Sequence, residues 1–125
     1  MKKTMILFIT IVTLLGCSKD NENNEVKIRL SNLSQYDFHN IIVNTTTGYV
    51  NFEDLNSGQK SEYKKFDKAY SYSFVELEID GETYTLQPID YVGETLLKNG
   101  NYTYQLDAND TYDQYTKLSL TLVEN

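Results

Sequence analysis

The chain has 125 residues, with 11 basic residues against 18 acidic ones and a formal net charge of −7. A surface of that sign repels phosphate backbones, so nucleic acid is not an expected partner. One cysteine and one histidine exclude an internal disulfide and leave too few soft ligands for zinc or copper, so no metal and no cofactor is expected.

Lys2 and Lys3 precede an apolar run over 5–16. That run falls short of the roughly 20 residues a helix needs to cross a bilayer, which predicts a cleaved signal peptide. It ends on Leu14-Leu15-Gly16-Cys17, which resembles the lipobox of bacterial lipoproteins: an aliphatic residue three before the cysteine, a small residue at the cut, and the cysteine itself. The resemblance implies that the Cys17 thiol takes a diacylglycerol, that the leader is cut after Gly16, and that the new N-terminus is acylated. Each buried methylene contributes about 0.8 kcal/mol, so two or three chains hold a protein on a membrane. The other reading is an ordinary secretory peptide with a cysteine near its end. Residues 18–25 carry no apolar side chain and read as a flexible spacer. The same stretch resembles the acidic post-cysteine signals of Bacteroidota lipoproteins carried to the outer leaflet. The expected organisation is a signal peptide over 1–16, a lipidated Cys17 and linker over 17–25, and one domain over 26–125. Without Lys2 and Lys3, the 11 basic residues become 9 against 18 acidic ones.

From Val26 onward the apolar residues alternate with period two. Val26, Ile28 and Leu30 share one face of a first strand, and short strands follow over 41–43, 49–52 and 61–66. Residues 75–79 and 82–87 flank Asp80-Gly81, the pair that suits the positive φ values of a type I′ turn. A two-residue loop then sets Ile79 opposite Glu82, Leu77 opposite Tyr84 and Val75 opposite Leu86. Pro88 ends the return strand, since it cannot donate to a ladder. Strands over 101–107 and 118–122 close the chain, the last alternating Leu118, Leu120 and Leu122 with Lys117, Ser119 and Thr121. The expected fold is all-β: about seven strands in an immunoglobulin-like or transthyretin-like β-sandwich. Gly100-Asn101-Tyr102 at the start of the penultimate strand resembles a tyrosine corner, in which the phenol bonds a backbone group upstream.

Few residues point to chemistry. His39 sits at a strand edge with no Gly-x-Ser-x-Gly motif in the chain, so it reads as a surface residue rather than a triad member. Glu76 and Glu78 lie about 7 Å apart by strand rise, near the spacing of inverting glycosidases, yet two exposed glutamates on a strand read as a solvated face. Asp107, Asn109 and Asp113 could offer oxygens to Ca²⁺, but the stretch lacks the EF-hand glycine and terminal glutamate and reads as a polar hairpin loop. The 11 tyrosines, with no tryptophan, are the unusual feature. Tyr70, Tyr72 and Phe74 alternate on the side of Glu76 and Glu78. Either a bulge or a covering sheet buries them, or they form an exposed strip suited to sugar rings or a protein partner. The polar crossover 87–94, with Asp90 and Tyr91, is placed where a binding loop would sit, or else packs Ile89 and Val92 over the end of the sandwich.

Several stretches together, Ser61-Glu62-Tyr63, Ile79-Asp80-Gly81, Gln87-Pro88-Ile89-Asp90-Tyr91-Val92-Gly93-Glu94 and Gly100-x-Tyr102-Thr103-Tyr104, resemble a group of small Bacteroidota outer-membrane lipoproteins. The resemblance implies export, anchorage and a β-rich fold, and carries over no catalytic residue. The expected function is a non-enzymatic interaction or structural module of a bacterial cell envelope. It would be anchored at the outer membrane, on the cell surface or the periplasmic face, and would contact another envelope protein. The alternative is a glycan-binding accessory using Tyr70, Tyr72 and Phe74.

Overall fold

The computed structural model describes residues 25–88 and 94–125. The signal peptide, Cys17, most of the linker, Asp90 and Tyr91 lie outside the described residues. Alternation produces eight strands: β1 (Val26–Asn32), β2 (His39–Asn44), β3 (Tyr49–Phe52), β4 (Lys64–Phe66), β5 (Phe74–Ile79), β6 (Glu82–Leu86), β7 (Gly100–Ala108) and β8 (Leu118–Glu124). They form two four-stranded sheets, ordered β4-β1-β7-β8 and β3-β2-β5-β6. No helix occurs among the described residues. The expected all-β sandwich is therefore present, with eight strands. An immunoglobulin domain keeps its first two strands in one sheet. Here β1 and β2 lie in different sheets, so the strand order departs from that arrangement.

The core lies between the sheets. Val26, Ile28 and Leu30 of β1 and Tyr102, Tyr104 and Leu106 of β7 face Ile41, Val43, Val75 and Leu77 of the second sheet, all buried. β1 runs parallel to β7 from Val26 opposite Gly100 to Asn32 opposite Leu106. The β5–β6 hairpin has the expected register, with Leu77 opposite Tyr84 and Val75 opposite Leu86. Its turn residues have φ of 54° at Asp80 and 82° at Gly81, the left-handed values a type I′ turn requires. Phe38 and Leu55 seal the loop end through a reciprocal pair of 2.9 Å backbone hydrogen bonds.

Two expected strands differ, each for a local reason. The strand expected over 61–66 is regular only at Lys64–Phe66, because the Leu30 N–H is taken by the Ser61 hydroxyl at 2.9 Å rather than by a backbone carbonyl. The alternation over 70–74 does not continue the β5 ladder. The carbonyls of Lys68, Ala69 and Tyr70 are taken by the Thr45 hydroxyl, the Leu97 N–H and the Tyr104 phenol, respectively. Two loop residues and one residue of β7 thus hold this segment, and β5 begins at Phe74. The bulge lies on β2 instead, between His39 and Ile42.

The tyrosine corner is formed: the Tyr102 phenol donates to the Lys98 carbonyl at 2.7 Å, with the ring buried. Burial pushes this phenol up from its ordinary pKa. Tyr102→Phe keeps the packing and leaves the carbonyl without its donor. It is expected to cost about 1–2 kcal/mol, read as a loss of roughly 4–16 °C in Tm for a domain of this size.

Candidate functional site

Three loops meet at one end of the sandwich: 33–38 between β1 and β2, the Asp80-Gly81 turn, and 109–117 between β7 and β8. They enclose a hollow of about 380 Å³, lined by Tyr36, Ile79, Asp80, Glu82, Tyr84, Tyr112 and Lys117. This lies at the small end of the roughly 300–1,000 Å³ typical of ligand pockets.

Loop 109–117 is polar and glycine-free, so its side chains have to satisfy its backbone. Asn109 Oδ1 accepts the Thr111 N–H at 3.0 Å, the Thr111 hydroxyl accepts the Asp113 N–H at 3.2 Å, and Asp113 Oδ1 accepts the Tyr115 N–H at 2.9 Å. At its centre sits Lys117, only 3% exposed. Its Nζ donates to the Asn109 and Thr111 carbonyls at 2.7 and 2.9 Å. The same ammonium lies 4.5 Å from the Tyr36 ring centroid, 5.2 Å from that of Tyr84 and 5.8 Å from that of Tyr112. Such cation–π contacts are strongest when desolvated. A further tie reaches the second sheet, where the Gln114 carbonyl accepts the Thr85 N–H at 2.9 Å on the outer edge of β6.

The electrostatics follow from this geometry. The Tyr36 phenol donates to Asp110 Oδ1 at 2.7 Å, and this bond raises its pKa above the ordinary phenol value. The Tyr84 phenol is raised chiefly by desolvation, with Glu82, Tyr112 and Asp80 adding to it. Tyr84 is 4% exposed, and its hydroxyl makes no hydrogen bond among the described residues. Tyr112 and Tyr115 stand out into solvent, at 89% and 61% exposure.

The residues singled out in the sequence lie elsewhere. Tyr72 lines an apolar groove of about 640 Å³ with Leu86, Pro88, Leu118 and Leu120, between the edges of β6 and β8. Phe74 lines a separate hollow of about 190 Å³ with Asn44, Thr46 and Tyr49, against whose ring it packs edge-on at 6.4 Å. The two spaces share Gln87 and Pro88, so Tyr72 and Phe74 stand on either side of that dipeptide rather than in one strip. Tyr70 is half-buried and lines neither. Glu76 and Glu78 lie on the outer face, where the Thr85 hydroxyl reaches Glu76 at 3.4 Å and the Asn40 amide reaches Glu78 at 3.1 Å. Asp107 turns a side-chain oxygen to the Ala108 N–H at the end of β7, Asn109 and Asp113 turn theirs to backbone N–H groups of loop 109–117, and the positive charge inside that loop is the Lys117 ammonium. Among the described residues no group of three or more His, Cys, Asp or Glu is placed to hold a metal ion.

The His39 ring has one hydrogen-bond partner among the described residues, with Nδ1 2.9 Å from Asp54 Oδ2. That bond raises the imidazole pKa and lowers the carboxyl pKa. The raised His39 contributes stability below the ordinary imidazole value of 6.5, lost as pH rises through the folded value. The lowered Asp54 contributes above its ordinary 3.8, lost as pH falls through the folded value. The pair is therefore fully engaged between those two ordinary values. Both side chains are about half exposed, at 46% and 59%, so water screens the effect on stability and the imidazole itself is the better reporter. An NMR titration of the His39 ring is expected to show its midpoint falling in Asp54→Asn; an unchanged midpoint would mean that the pair is not formed in solution.

No family model matches this sequence, and no curated protein matches it. Among solved structures, the chain is similar to the NMR structure of a protein from Eubacterium rectale. The TM-score is 0.54 at 16% sequence identity, covering 83% of this chain and 91% of that one. At that identity the likeness shows the fold alone.

Proposed function

We propose that this chain is a membrane-tethered, non-enzymatic recognition module of a bacterial cell envelope. The lipobox-like Leu14-Leu15-Gly16-Cys17 supports attachment through Cys17, and the spacer over 18–25 would lift the domain off the lipid. The observation that carries the recognition role is the tyrosine hollow. Half-buried Tyr36, bonded to Asp110, and exposed Tyr112 flank a bonded Lys117 at the loop end of the sandwich, and aromatic side chains so placed suit contact with another envelope protein or a glycan.

Two measurements test this. Mass spectrometry of the protein from its own host should find fatty chains on Cys17, and Cys17→Ser should move it to the aqueous phase of a detergent partition; a bare Cys17 overturns the anchor. A photo-crosslinking residue at position 112 should trap one defined envelope component, and the same trace from a crosslinker at exposed Glu53 would argue against a specific surface. The second reading is a glycan-binding accessory whose platform is built from Tyr72 and Phe74. It is favoured by the adjacency of their two hollows across Gln87 and Pro88, and Tyr72→Ala with Phe74→Ala would then abolish binding that Tyr112→Ala leaves intact.

A further inference from the structure

We infer that the tyrosine hollow accepts one neutral, polyhydroxylated ring, a sugar unit with an apolar face. This deepens the reading of the hollow as the recognition surface and rests on it. Clustered aromatic rings around a positive charge ordinarily suggest an ammonium ligand. Here that place is filled from within: Lys117 Nζ already lies over Tyr36, Tyr84 and Tyr112 while donating to two carbonyls. A second cation against the same rings would meet an ammonium that cannot move away.

An anion is disfavoured from the other side. Asp80 and Glu82 line the hollow, Asp110 is bonded to the Tyr36 phenol beside it, and the chain carries a net charge of −7. An apolar side chain would strip water from both carboxylates and leave the Tyr84 hydroxyl without a partner in a dry setting. The Tyr84 phenol is the decisive group: buried, lining the hollow, and hydrogen-bonded to nothing among the described residues. It can donate or accept. A neutral ring bearing several hydroxyls satisfies every wall at once. Its hydroxyls donate to Asp80 and Glu82 and exchange a bond with Tyr84, and its C–H face lies on the Tyr112 ring, whose far side is open to solvent. The volume of about 380 Å³ suits a single ring rather than a folded peptide segment.

The test uses the full chain in detergent micelles. Methyl glycosides of neutral hexoses and N-acetylhexosamines serve as probes, with tetramethylammonium and acetate as the cation and anion probes. With no tryptophan in the chain, tyrosine fluorescence and ring NMR signals report directly. At least one glycoside should shift the signals of Tyr36, Tyr84 and Tyr112. Tyr84→Phe should weaken it about fivefold, and Tyr112→Ala about tenfold or more, with a loss in melting temperature small beside that of Lys117→Met. Saturation by tetramethylammonium or acetate without glycoside binding overturns the inference, as does glycoside binding indifferent to both variants or no shift at tens of millimolar glycoside. If no glycoside binds but crosslinking from position 112 still traps a partner protein, the sugar inference falls and the recognition module stands. If crosslinking traps nothing either, both fall.

Discussion

Lys117→Met is expected to destabilise the domain by about 2–4 kcal/mol, seen as a loss of roughly 10–25 °C in the near-ultraviolet tyrosine melt. The methionine stem fills the space of the lysine methylenes, so packing is nearly kept and the loss isolates the ammonium. Two carbonyls, of Asn109 and Thr111, lose a charged donor at 2.7 and 2.9 Å, and three rings lose the charge they surround. Hydrogen bonds from a charged group contribute about 1.5–3 kcal/mol, partly offset here by no longer burying a charge. Lys117→Arg keeps the charge but cannot aim a planar fork at both carbonyls within the same loop, so it should recover only part of the loss. A melt within one degree of wild type for Lys117→Met would show that the loop holds its shape without the ammonium.

Asn32→Leu is the second large effect, about 3–4 kcal/mol. Asn32 is fully buried at the end of β1, and its amide is completely engaged. Nδ2 donates to the Tyr36 carbonyl at 2.7 Å and the Leu55 carbonyl at 3.0 Å, while Oδ1 accepts the Ser34 N–H at 2.9 Å and the Ser34 hydroxyl at 2.7 Å. This one side chain fixes loop 33–38 and with it the backbone of Tyr36, a wall of the hollow. Leucine matches the volume and leaves those groups without partners. Asn32→Asp tests the donors alone, since a carboxylate oxygen would face two carbonyls, and should be at least as damaging. Urea unfolding measures both, and a normal midpoint for Asn32→Asp would mean that the two carbonyls find other donors.

Local grammar made much of the fold legible. Asp80-Gly81 set the hairpin register because only a two-residue turn with positive φ joins those strands, and Gly100-x-Tyr102 announced its own hydrogen bond. The hollow was not legible, because its walls come from residues as distant as Tyr36 and Lys117. Lys117 also reads in the sequence as the outward neighbour of Leu118, yet it precedes β8 and turns back into its loop. The available signal was Tyr112-x-x-Tyr115 inside a polar stretch with no core to join. Conversely, Tyr70 and Tyr72 alternate like strand residues, and nothing in their own identity reveals that Thr45, Leu97 and Tyr104 claim the carbonyls around them.

The parallel pairing of β1 with β7 joins residues 74 positions apart in the sequence, as the bond from Arg29 to Thr103 shows. The strands of the sheet built from β2, β3, β5 and β6 all lie within residues 39–86, interrupted only by the three-residue β4 of the other sheet, so it can assemble early, whereas β1 has most of its ladder to wait for. A chain emerging amino end first from a ribosome therefore holds its opening strand in suspense until the penultimate one arrives. By the same logic, a protease that clips the tail before β7 would unmoor the beginning of the domain along with its end.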